Sequence, residues 1–222
     1  MKIKLTHLFI TRCIDPEKLL KNCSKFDTFC SRLERQATEK ATLGNGEIDQ
    51  KVENKYKGDG FELFVEMFIK CFGADTLIQV YPDTYVPIDE GIDYGVDGKS
   101  VGDNKQIHTF QIKYRQSNYE LTANEDNLTN FTSLSMMPIN AGGFGVDPNY
   151  KCPSTRKRIT GKANMTIIHC GKKIHYTSAD RMLYIVREIN RQDIKNKVND
   201  NNIFWDSFLN SWIEELKNIK NS

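Results

Sequence analysis

The sequence predicts an α/β protein in which helical segments bracket a strand-rich middle. Phe61, Phe64, Val65, Phe68, Ile69 and Phe72 recur at i, +3, +4, +7, +8 and +11, the period of an amphipathic helix. Short runs rich in β-branched and aromatic residues follow between residues 76 and 176, punctuated by Gly, Pro and Asp. The chain closes on Trp205, Phe208, Leu209, Trp212, Ile213 and Leu216, again on one helical face.

Taken in order, Asp15-Pro16 reads as an N-cap followed by a first-turn proline. Leu19, Leu20, Cys23, Phe26, Cys30 and Leu33 then continue at helical spacing as far as Gly44-Asn45-Gly46. The helix of Phe61 to Phe72 stops at Gly73 and puts Glu62 on the shoulder of its apolar stripe. Leu77 to Tyr81 reads as a strand, Pro82-Asp83 as a turn, and 88–98 as a Gly- and Asp-rich stretch. A strand over 107–114 follows, with Gln111 and Lys113 on one face and Phe110, Ile112 and Tyr114 on the other. The loop at 102–105 reads as its hairpin connection. Thr122-Ala123-Asn124-Glu125 has the form of a capping box opening a helix to about Ser135. Residues 138–162 read as a long loop, 166–176 as a hairpin about Gly171, and Ala179 onward as a helix preceding the terminal one.

The 222 residues, 39% hydrophobic and 27% charged, suit one core with appendages. Mean hydropathy is −0.55, and no apolar run approaches the roughly 20 residues that cross a bilayer, which excludes a helical membrane span. The opening stretch is too short and interrupted in its apolar part for a signal peptide, so an intracellular protein is expected. Six scattered cysteines form no C-x-x-C pair and suggest neither a zinc site nor a disulfide framework. Asn127, Asn130 and Asn164 match glycosylation acceptors, but without a secretory route they reflect only an Asn-rich chain.

A net charge of +2, from 31 Lys+Arg against 29 Asp+Glu, argues by itself against a nucleic-acid partner. It conceals a segregation. Between Cys71 and Gly98 lie six acids (Asp75, Asp83, Asp89, Glu90, Asp93, Asp97) and no base; between Pro148 and Ala179 lie seven bases and no acid. Lys151, Arg156, Lys157, Arg158 and Lys162 of the second stretch suit phosphate-backbone contacts as a clamp.

Fourteen positions after Asp97 comes Gln111-Ile112-Lys113. Phosphodiester hydrolysis needs a divalent cation to neutralise charge and activate water, plus a group that orients the attacking water. A carboxylate at one strand end and an oxygen ligand plus a lysine on the neighbouring strand supply these, and magnesium suits a site with few protein oxygens. Gly58-Asp59-Gly60-Phe61-Glu62, Asp93-Tyr94-Gly95-Val96-Asp97 and Gln111-Ile112-Lys113, in that order, resemble the three motifs of the PD-(D/E)XK nuclease superfamily. The likeness is to its Mrr-type restriction endonuclease branch, where Gln opens the last motif.

The resemblance covers about residues 57–177 and implies a restriction-endonuclease-like core there: a mixed central sheet flanked by helices, in α-β-β-β-α-β order. Residues 1–56 and 178–222 would be helical extensions. It implies a Mg2+-dependent DNA endonuclease, with Mn2+ able to substitute, that leaves 5′-phosphates. By the same resemblance Asp97 would be the principal metal ligand, Gln111 would ligate through its side-chain oxygen, and Ile112 through its backbone carbonyl. Lys113 would position the water and stabilise charge on the phosphate, while Glu62 would hold a water of the cation. Gly91-Ile92-Asp93 overlaps the same pattern, so Asp93 competes with Asp97 and, with Glu90, could supplement the field. The implied partner is DNA, double-stranded, and a homodimer is expected where both strands are cut. The implied setting is the cytoplasm of a bacterial or phage-infected host. A catalytically inactive DNA-binding module, or the nuclease segment of a larger DNA-processing protein, are the alternatives.

Overall fold

The computed structural model describes residues 3–6, 10, 15–75, 81–88, 95–102, 107–137, 142–144, 164–177 and 186–221. The elements are α1 (Pro16–Leu20), α2 (Phe26–Ala41), α3 (Gln50–Phe72), β1 (Val86–Pro87), β2 (Gly98–Val101), β3 (Ile107–Lys113), β4 (Glu120–Leu121), α4 (Leu128–Met136), β5 (Asn164–His169), β6 (Lys173–Ile174), β7 (Arg187–Ile189), α5 (Arg191–Val198) and α6 (Asn202–Lys220). A five-stranded sheet has the order β1-β2-β3-β5-β7. Its first three strands are antiparallel neighbours, while β5 and β7 run parallel to β3, so the sheet is mixed. The class is α/β.

The chain divides into two compact units, Met1–Cys71 with Arg191–Ser222, and Phe72–Asn190. These differ from the expected boundaries of 1–56, 57–177 and 178–222. Helix α3 groups with the other long helices because its apolar stripe is filled by their rings. Phe64, fully buried, lies 5.0 Å from Phe26, 4.9 Å from Phe29 and 5.6 Å from Phe204, measured between ring centroids. Trp205 and Trp212 are buried in the same unit, as the closing stripe predicts.

The expected continuous helix from Pro16 is broken. Asp15 caps α1 by accepting from the Glu17 and Lys18 amides, but the chain turns at Asn22, whose φ of 54° is left-handed, and restarts at Phe26. The Phe26 amide donates to the Asn199 side chain at 2.9 Å, a tertiary substitute for the cap that Lys25 does not supply. Helix α3 begins seven residues before the nuclease-like span, capped by Asp49, and runs through Gly58 and Gly60. Its polar first turns carry the i,i+4 pairs Glu53–Lys57 and Lys55–Asp59. At Gly60 the helix meets Leu33 so closely that a Cβ would displace that side chain.

Asp27 on α2 binds Arg191 and Lys195 of α5, each at 2.8 Å. Partial burial pushes the Asp27 carboxyl up, but the two cations outweigh it and hold it below its ordinary range. Its contribution is therefore present above the unfolded carboxylate pKa of about 3.9 and is lost as pH falls through the depressed folded value. The carboxylate is half exposed, so Asp27→Asn is expected to cost under about 1 kcal/mol at neutral pH. In urea unfolding the gap between variant and wild type should close as pH falls through the depressed folded value of Asp27.

In the second unit Val96, Leu121, Leu128, Phe131, Met165, Ile167 and Ile174 form one apolar cluster, and the Thr109 and Ser135 hydroxyls, 2.7 Å apart, fasten α4 to β3. The expected hairpin about Gly171 is absent: β5 pairs with β3, and β6 pairs in parallel with β4. The Lys172 amide reaches the Tyr119 carbonyl and the His175 amide that of Leu121, which draws the chain after β5 to β4. The capping-box residues form turns, and α4 begins only at Leu128, after Asn127 in the left-handed region. The expected C-terminal helical span contains strand β7 because Thr166, Ile167 and Ile168 offer it a ladder. The expected strand at 77–81 and most of the loop at 138–162 lie outside the described residues.

Candidate active site on strands β2 and β3

Asp97 stands immediately before β2, held by its backbone at both ends. Its amide donates to the Phe110 carbonyl at 2.9 Å, and its carbonyl accepts from Ile88 at 3.0 Å. The β2–β3 register, carried one step back from Gly98–Phe110, sets Asp97 opposite Gln111. The side chain reaches across the ladder: the Ile112 amide donates to Asp97 Oδ2 at 2.5 Å. A carboxylate that accepts a backbone N–H is fixed in direction before any ligand arrives.

Gln111 and Lys113 share a face of β3 with Thr109, the face on which α4 packs. Gln111 is fully buried, and neither its Oε1 nor its Nε2 has a hydrogen-bond partner among the described residues. Lys113, two residues on, is half-buried. Its register partner on β5 is His169, whose imidazole is buried with Nε2 3.0 Å from the accepting Glu188 Oε1. Glu188 also accepts the Ile174 amide, so this His–Glu pair is a structural clasp between β5, β6 and β7. His175 is exposed, 3.7 Å from Glu120.

The structure thus brings Asp97, Gln111, Ile112 and Lys113 together. Glu62 lies half-buried on α3, in the other unit. Of its neighbours on that helix, Glu66 is fully buried and bonded to Thr6 and Lys70, and Asp59 pairs with Lys55. Glu90, Asp93, Lys151, Arg156, Lys157, Arg158 and Lys162 lie outside the described residues.

Among the described residues no three or more His, Cys, Asp or Glu gather into a cation cluster. The donors here are of a different kind: one oriented carboxylate and one buried carboxamide oxygen that no described residue engages. An unmet buried amide costs about 1–3 kcal/mol, so a hard cation that binds oxygen fits the Gln111 side chain. Among the described cysteines, burial pushes Cys71 up to about 11, and Cys23, Cys30 and Cys170 are buried.

Sequence reasoning missed the two asparagines that border this face. A Cβ built on Gly95, where φ is 72°, would have Asn127 Nδ2, Asn130 Nδ2 and Gln111 Nε2 each at 3.5 Å. The available signal was their i,i+3 spacing at the start of α4.

No protein-family model matches the chain, and no curated protein matches it. No helix among the described residues is long and apolar enough to cross a membrane.

Proposed function

We propose that the chain is a magnesium-dependent DNA endonuclease of the Mrr-like PD-(D/E)XK type that hydrolyses phosphodiester bonds to leave 5′-phosphates. One observation carries the reading: Asp97 is hydrogen-bonded to the Ile112 amide between a buried, unengaged Gln111 and a half-buried Lys113. Asp97, Gln111 and the Ile112 carbonyl would hold the cation. A bound Mg2+ or Mn2+ supplies charge neutralisation at the phosphate and a more acidic water.

The chain's own groups then divide the remaining work. The Ile112 amide keeps Asp97 aimed while the carboxylate binds. Gln111 adds an oxygen without adding charge, which predicts weak cation affinity and a requirement for millimolar magnesium. Lys113 places a positive charge and hydrogen-bond donors where the phosphate gains negative charge. Asp93 is a proposed second acid. Double-stranded DNA is the proposed substrate, held by the basic residues Lys151, Arg156, Lys157, Arg158 and Lys162, with a homodimer acting where both strands are cut. The proposed location is intracellular.

The test is conversion of supercoiled plasmid with Mg2+, with Mn2+ and with a chelator, for the wild type and Asp97→Ala. Cleavage that needs the cation and falls by about 10²–10³ in the variant is the expected result. Cleavage undiminished in Asp97→Ala would overturn it, and DNA binding without cleavage in every form would assign the fold to a non-catalytic module.

A further inference from the structure

The small parallel sheet of β4 and β6 gathers three basic side chains around one carboxylate. Lys172 Nζ donates to Glu120 Oε1 at 3.1 Å, Lys173 Nζ stands 3.5 Å from the same oxygen, and His175 Nδ1 lies 3.7 Å from Glu120 Oε2. The Lys172 hydrogen bond, helped by the Lys173 charge, holds the Glu120 carboxyl below its ordinary range against a little desolvation. All three bases remain open to solvent, with side chains 61%, 53% and 55% exposed. A phosphate oxygen asks for the same surrounding, an anionic acceptor flanked by ammonium donors, so Glu120 stands where a phosphate would.

The bases are presented by a backbone that is already fixed. The Lys172 amide donates to the Tyr119 carbonyl at 2.8 Å and the His175 amide to that of Leu121 at 2.7 Å, one tie on either side of Lys173. Ile174 between them is buried in the apolar cluster. A Cβ on Gly171 would meet the Tyr119 carbonyl oxygen at 2.8 Å, so glycine is what lets the chain turn this close to β4. A surface ordered before binding spends less of its affinity on ordering.

Its place in the fold joins it to the candidate site. In the β3–β5 register Lys113 faces His169, and the Cys170 amide donates to the Lys113 carbonyl at 3.3 Å. The turn that carries Lys172 therefore leaves the sheet at the end where Lys113 stands, in the same unit. Of the acids nearby, Asp126 is buried and paired with Arg115 at 2.6 Å, and Glu188 is engaged by His169 and by the Ile174 amide. No acid occurs between Pro148 and Ala179, so nothing on the bases' own segment opposes an anion.

We propose that Lys172, Lys173 and His175 form a docking surface for the phosphate backbone of duplex DNA, and that Glu120 occupies the phosphate position until DNA displaces it. This deepens the nuclease reading and rests on it for the choice of DNA as occupant. The carboxylate has two effects: it holds the lysines together in the free protein, and it competes with the incoming phosphate. Removing the bases should therefore weaken binding, whereas removing the acid should strengthen it.

The probe is a fluorescently labelled DNA duplex bound in chelator at several salt concentrations. Wild type, Lys172→Ala/Lys173→Ala, Glu120→Gln and Glu39→Gln are compared, with thermal melting as the folding control and plasmid cleavage in magnesium in parallel. Glu39 is an exposed acid on α2 beside Arg35, so its variant changes net charge equally in the other unit. The double variant is expected to bind about tenfold more weakly, with the slope of log affinity against log salt reduced by about 2. Its KM should rise by a similar factor with kcat little changed. Glu120→Gln is expected to bind about threefold more tightly, and Glu39→Gln like the wild type. An unchanged affinity and slope in the double variant would overturn the surface, even where the wild type cleaves DNA and Asp97→Ala does not. Binding by Glu120→Gln no tighter than by Glu39→Gln would overturn the displacement. The expected affinities and slopes, with no cleavage by any form, would sustain the docking surface and sink the nuclease.

Discussion

Lys113→Ala is expected to lower kcat for plasmid cleavage by about 10²–10³ while leaving the melting temperature unaltered. The separation follows from where the side chain stands. Lys113 ends β3 on the face that carries Gln111, and its backbone carbonyl accepts from the Cys170 amide, which alanine preserves. The side chain is half-buried, so its removal opens no closed cavity. Lysine at this position acts as a point charge, and arginine, with its broad planar fork, is a poor substitute beside a carboxylate fixed in one direction. Lys113→Arg should therefore recover only part of the rate. Single-turnover cleavage at saturating enzyme isolates the chemical step. A variant that cuts within a few-fold of the wild type under those conditions would remove Lys113 from the mechanism.

What the sequence made legible was whatever is set by local period. The stripe from Phe61 to Phe72, the Trp205/Trp212 face and the alternation along 107–113 all reappear as α3, α6 and β3, because each depends on one element's own geometry. Pairing between distant strands was not legible. Nothing within 166–176 announces that β5 and β6 join different sheets, since the partners of β6 lie more than fifty residues earlier at Glu120 and Leu121. The break at Asn22 was hidden for a similar reason: helical spacing continues across it, and the cap that restarts α2 comes from Asn199. Motif spacing put Asp97 and Gln111 on neighbouring segments, and the β2–β3 register sets them opposite each other. The burial of Gln111 and the approach of Asn127 and Asn130 depend on how Leu128 and Phe131 seat α4 on the sheet, which spacing does not encode.

Phe64→Ala is expected to destabilise the helical unit by about 3–5 kcal/mol. Phe64 is fully buried on α3 at its junction with α2 and α6, within 5.0 Å of Phe26, 4.9 Å of Phe29, 5.6 Å of Phe204, 6.0 Å of Trp205 and 6.2 Å of Phe208. The pairs with Phe204 and Phe208 are edge-on, while Phe61 and Phe68 stack along the helix itself. Truncation loses the transfer energy of the ring and leaves a void that surrounding rings, rigid and mutually wedged, cannot fill by rotating. Phe64→Leu keeps most of the apolar volume and should cost clearly less. Urea unfolding followed by tryptophan fluorescence reports this unit directly, because Trp205 and Trp212 both lie in it. A loss under about 1 kcal/mol would mean that α3 is not the keystone of the aromatic core. Against a total stability of about 5–15 kcal/mol the expected loss is large enough to depopulate the native state on mild warming. Cleavage by Phe64→Ala should then fall with the folded fraction at unchanged KM, whereas Lys113→Ala stays folded and fails in the chemical step. The same plasmid assay, read beside a melting curve, thus assigns Phe64 to the architecture and Lys113 to the reaction.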